Sequence, residues 1–133
     1  MLSTRIHGIL DYAMAAFLII FPWPAGFSKF TWAPWVMLVL GVGILIYSLL
    51  TRYEAGYLGL LSFKSHLWLD ALAGVILATS PWLLRFAHHT FVVHVASGLF
   101  ILLAVVLTRS IAKDAPNPRL SPRSPASQPE EIG

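Results

Sequence analysis

The sequence predicts an all-α integral membrane protein with four transmembrane helices. These form two tandem hairpins of the same orientation, related by a pseudo-two-fold axis along the membrane normal. Three observations predict it. The 133-residue chain is 57% hydrophobic and only 11% charged, and its mean hydropathy of +0.74 lies outside the balance of a soluble domain. Apolar stretches fall at about residues 6–23, 32–51, 66–82 and 90–109, each near the roughly 17–25 residues that a spanning helix needs. The chain also repeats itself: HGILDYAMAAFLIIFPW, 7–23, falls without a gap on HLWLDALAGVILATSPW, 66–82.

The first stretch has the outline of a signal peptide, with Arg5 before an apolar run and Pro-Ala-Gly after it. Asp11 inside that run and the lack of an A-x-A site argue against cleavage. The repeat argues more strongly, because one copy would be structural and its twin disposable. At an offset of 59 residues His7 meets His66, Asp11 meets Asp70, Pro22 meets Pro81 and Trp23 meets Trp82, and the match continues to Thr31 over Thr90. Two residues are then lost. An offset of 57 brings Gly41 onto Gly98, Ile44 onto Ile101 and Thr51-Arg52 onto Thr108-Arg109. Each copy, about 5–52 and about 65–109, is a two-helix hairpin. An even number of helices per copy gives both copies the same direction and excludes an inverted repeat.

Charge sets the expected orientation. Arg5, Arg52, Lys64, Arg109, Lys113, Arg119 and Arg123 lie on one side, against Lys29 and Arg85 on the other, so both termini are expected in the cytoplasm, with the chain in the cell (inner) membrane. Trp23, Trp32, Trp35 and Trp82 then line the outer interface, where an indole ring meets apolar and polar surroundings at once. His88 and His89 are expected in the short outer turn. The transmembrane domain is assigned to residues 1–110. Residues 111–133 carry a proline every few positions and almost no apolar surface, and are expected to form a disordered cytoplasmic tail.

Proline removes a backbone donor and restricts the residue before it, so Pro22 and Pro81 should kink or end their helices, with Trp23 and Trp82 anchoring the break. Thr79 and Ser80 can return hydrogen bonds to carbonyls left open. Small residues permit close helix approach in lipid, and Ala15, Gly41, Gly74, Ala78 and Gly98 are the candidate packing positions. Ser80-Pro81-Trp82, embedded in a doubled His-x-x-x-Asp at fixed spacing, resembles the SPW-repeat integral membrane proteins, small bacterial proteins named for a Ser-Pro-Trp motif in the first of two transmembrane helices. The resemblance covers about residues 5–110, and Phe21 departs from the motif's serine in the first copy. It implies a membrane location and a repeat fold, and no established reaction.

The polar cluster His7, Asp11, His66, Asp70, Arg52 and Arg109 is the candidate site. In the structural reading, the two aspartates accept from the histidines four residues earlier and from the two arginines at the inner ends of the partner helices. In the second, paired carboxylates at equal depth form a proton or cation pathway. In the third, the histidines ligate a metal or haem. No cysteine is present, which removes disulfides, thiolate metal sites and cysteine nucleophiles. No nucleotide, hydrolase or metalloprotease motif occurs, so no enzyme activity is assigned. The leading expectation is a structural or accessory membrane protein without cofactor or bound metal. Its partner is the lipid bilayer, nucleic acid is not expected, and a transport function would require a homo-oligomer because one small bundle encloses little volume.

Overall fold

A computed structural model describes residues 3–29, 32–52 and 56–114, with the side chains of His89 and of residues 109–114 outside the description. Among the described residues there are four α-helices: α1 (Thr4–Ile20), α2 (Ala33–Leu50), α3 (Phe63–Leu83) and α4 (Ala87–Asp114), with a short 3-10 turn at Phe27–Lys29. Helix α1 packs on α2 and α3 on α4, and the two pairs meet mainly through α2 against α3. The expected tail, 111–133, lies outside the described residues from 115 onward, and the helical backbone runs on to Asp114. Ala112 and Lys113 are good helix formers and suit that extension. At its other end α4 begins at Ala87, so His88 and His89 stand in its first turn and not in a loop.

Matching devices start and stop the first helix of each copy. Ser3 and Ser62, 59 residues apart, are the N-caps; their hydroxyls accept from the Ile6 and Ser65 N–H groups at 3.3 and 3.1 Å. At the other end, Phe27 N–H donates to the Pro22 carbonyl and Gly26 N–H to the Trp23 carbonyl. Phe86 to Pro81 and Arg85 to Trp82 repeat both bonds. These are Schellman turns, in which a left-handed residue reverses the chain and covers the last carbonyls. Pro81 stands inside α3, whereas α1 ends at Ile20 and Pro22 belongs to the turn that follows it; in both copies the proline carbonyl is the acceptor the turn needs. Proline leaves the carbonyl four residues earlier without its usual donor, and Ser80 Oγ donates to that carbonyl, Leu77 O, at 2.8 Å. Thr79 Oγ1 donates instead to Val75 O at 2.8 Å. In the first copy, where Phe21 replaces the serine, the Trp23 indole donates to Ile19 O at 2.9 Å.

The left-handed position is occupied by Gly26 at φ 76° in one copy and by Arg85 at φ 60° in the other. A side chain there meets the carbonyl beyond it, at a cost of about 1–2 kcal/mol. Arg85→Gly is therefore expected to stabilise the protein by up to about 1 kcal/mol, offset in part by glycine's greater freedom when unfolded. Thermal or denaturant unfolding in detergent checks this; a loss of stability would mean that the arginine side chain matters more than the strain.

Helix α2 ends differently. The carbonyl of Leu49 accepts from Tyr57 and Leu58, and that of Leu50 from Leu60 and Leu61, so the connection to α3 folds back over the helix end. The core between the helices contains Ala15, Leu18, Met37, Ile44, Ala73, Leu77 and Ile101. Close approach needs glycine at two repeat-related places. A Cβ on Gly41 would lie 2.9 Å from Leu18 Cβ and 3.0 Å from Ala15 O, and one on Gly98 would lie 2.6 Å from Gly74 O and 2.8 Å from Ala78 Cβ.

Candidate functional site

Near the start of α1 and α3, the two histidines and two aspartates converge in one buried cluster. His7 and His66 are fully buried, Asp70 is 1% exposed and Asp11 8%. On a helix, positions i and i+4 share a face, which turns each His-Asp pair toward the other helix. The main contacts then cross between the hairpins. His7 Nε2 lies 3.0 Å from Asp70 Oδ2, and His66 Nε2 lies 2.9 Å from Asp11 Oδ2. Within helices the separations are 3.6 Å for His7 to Asp11 and 3.1 Å for His66 to Asp70. The two imidazoles meet edge to face with centroids 5.5 Å apart, and Phe63 stacks on His66.

Two threonines orient the histidines. Thr51 Oγ1 donates to Tyr47 O at 2.6 Å and Thr108 Oγ1 to Ala104 O at 2.7 Å. A hydroxyl has one proton, so each must accept from the imidazole beside it: His66 Nδ1–H donates to Thr51 at 2.9 Å and His7 Nδ1–H to Thr108 at 3.0 Å. Both Nδ1 atoms therefore carry hydrogen, and both Nε2 atoms face the carboxylates. The arrangement repeats between the copies: each histidine, in the first helix of one hairpin, bonds an aspartate and a threonine of the other hairpin.

Tyr47 breaks the symmetry. Its hydroxyl donates to Asp70 Oδ1, whereas the residue at the corresponding place in the second copy is Ala104, which has none. The duplicated Thr-Arg pair signalled the threonines, although the arginine attracts more attention in the sequence. Tyr47 has no duplicate to mark it.

The expected partnership of Arg52 with the aspartates is not what the structure contains. Helix α2 ends before it, with Thr51 in extended backbone, and the exposed Arg52 side chain donates through Nε to Gly59 O at 3.1 Å. The aspartates already receive their hydrogen bonds from the histidines and Tyr47, so a guanidinium would gain little by leaving solvent. The Arg109 side chain lies outside the described residues. His94, outside the duplicated set, is buried between Phe27 and Phe86 and has its ring nitrogens against Thr90 O and Ala33 O, tying α4 to the start of α2.

No curated protein and no solved structure matches the chain. The model of the SPW repeat domain matches residues 5–108, from just before the first histidine through Thr108 and across both proline-tryptophan turns, and the chain belongs to that family.

Proposed function

We propose that this is a multi-pass inner-membrane protein with a structural or accessory role. Its two tandem hairpins, related by a pseudo-two-fold along the membrane normal, are locked together by the crossed His–Asp bonds, with both termini cytoplasmic. The observation that carries this reading is the inverted polarity of the molecule: its ionisable cluster is inside while its outer surface is apolar. Val39 is 66% exposed, Val92 60% and Leu103 56%. Each such side chain forgoes about 1.5–3 kcal/mol of burial in water, a loss that hydrocarbon removes. Ionisable groups in a bilayer turn toward protein, as these do.

Helix α2, with mean hydropathy 2.2, and residues 90–108 of α4, with 2.5, are long and apolar enough to cross a membrane. His7, Asp11, His66 and Asp70 lower the averages of α1 and α3, yet these four are buried, and Ile6, Ile9, Leu72 and Val75 face outward. Matching caps, crossed bonds and glycine contacts at the repeat offsets support the two-fold relation.

The absence of native cysteine makes single-cysteine labelling clean. In inverted membrane vesicles an impermeant maleimide is expected to label Ser3→Cys and Leu60→Cys but not Ser28→Cys or His88→Cys. Labelling of Leu60→Cys and Ser28→Cys from the same face would remove the hairpin topology. In liposomes the protein is expected to add no proton or cation flux above an Asp11→Asn/Asp70→Asn control; flux abolished by those substitutions would make the cluster a conductor.

A further inference from the structure

We infer that the crossed cluster is a binding site for one first-row divalent metal ion, with His7 Nε2, His66 Nε2, Asp11 Oδ2 and Asp70 Oδ2 as its four ligands. The inference rests on the lock proposed above and assigns its ligand.

Geometry carries it. The four N–O separations around the ring of donors are 3.0, 3.6, 2.9 and 3.1 Å, and ligand atoms of the four residues all lie within 4.8 Å of one another. A tetrahedral zinc site with bonds of about 2.0–2.1 Å places its donors about 3.3 Å apart, so the donors need only small shifts to surround an ion.

A second observation is independent of that spacing. Metal-bound histidines generally donate their other ring N–H to a fixed acceptor, which selects the tautomer and orients the ring. Thr51 and Thr108, each committed to a backbone carbonyl, provide that acceptor to both Nδ1–H groups, leaving both Nε2 atoms for the ion. Tyr47 similarly holds the non-ligating oxygen of Asp70.

Charge and ligand chemistry select the ion. Two neutral imidazoles and two carboxylates carry two negative charges, which one divalent cation neutralises. When it is absent, protons between nitrogen and oxygen do the same, so binding exchanges those protons for the ion. A two-nitrogen, two-oxygen set without thiolate favours zinc, cobalt(II), iron(II) or manganese(II) over copper(I). Haem does not fit, because the carboxylates occupy the space between the Nε2 atoms where a porphyrin would lie.

The test is titration of the detergent-solubilised, chelator-treated full chain with cobalt(II), followed by zinc(II) competition. The expected result is one cobalt per chain with the intense visible absorption of tetrahedral coordination, displaced by zinc. Asp11→Asn should abolish that spectrum, and Thr51→Val should weaken affinity by about 10–100-fold, while His88→Ala/His89→Ala leaves both unchanged. No stoichiometric spectrum in a protein that retains coupling between His7 and Asp70 would overturn the metal site and leave the lock standing. A spectrum unaffected by Asp11→Asn but lost with His88 and His89 would place the ion elsewhere and overturn it equally. Loss of the His7–Asp70 coupling itself would remove the lock on which the site depends.

Discussion

Asp70→Ala is expected to cost about 3–5 kcal/mol of unfolding free energy, the scale for removing one partner of a buried ion pair, and to be the most damaging single substitution in the cluster. Asp70 is 1% exposed and is bonded by His7, His66 and the Tyr47 hydroxyl, so its loss takes an acceptor from two fully buried imidazoles and from the half-buried Tyr47 phenol. Asp11→Ala should cost less, because Asp11 is 8% exposed and has Ala104 where the repeat would require a second tyrosine. Asn should be milder than Ala at both positions because it keeps an acceptor. Unfolding in a fixed detergent, read by circular dichroism against temperature or denaturant, gives the order. Equal losses for the two alanine variants would mean that the phenol contributes nothing to Asp70.

The double variant Thr51→Val/Thr108→Val is expected to have the second largest effect. Valine keeps the shape but removes the hydroxyl that each Nδ1–H faces, and a buried donor that loses its acceptor costs about 1–3 kcal/mol. His7 and His66 are both fully buried, so water cannot replace the hydroxyl. The two sites meet in one hydrogen-bonded network, so the double loss need not equal the sum of the singles. Serine at both positions retains the hydroxyl and should restore most of the loss. Failure of serine to do better than valine would point to the threonine methyl, and not the hydrogen bond, as the contribution.

The helices and their pairing by copy are legible in the sequence because apolar runs and a 59-residue offset are properties of the chain alone. So is the equivalence of His7 with His66 and of Asp11 with Asp70. The crossing of the bonds is not. Spacing of four residues suggests a pair within one helix, but long side chains of α1 and α3 meeting across the bundle bring each imidazole at least as near to the opposite carboxylate, 3.0 Å against 3.6 Å for His7. Tyr47 is invisible for a different reason: a repeat directs attention to duplicated residues, and this one occurs once. Charge alone does not place Arg52, since a cation at the end of a helix can reach inward or turn to a loop carbonyl, and the folded connection turns it to Gly59 O. The Schellman turns follow from Gly26 in the first copy but not from Arg85 in the second, where the backbone adopts the same geometry despite its side chain.

The most direct measurement is a pair of double-mutant cycles on the stability of the detergent-solubilised protein, one between His7 and Asp70 and the other between His7 and Asp11, each using alanine. Contacting residues couple by about 0.5–3 kcal/mol. If the hairpins are locked by crossed bonds, His7 couples to Asp70 toward the upper part of that range and distinctly less to Asp11 in its own helix. Coupling confined to His7 and Asp11, with none between His7 and Asp70, would contradict the lock.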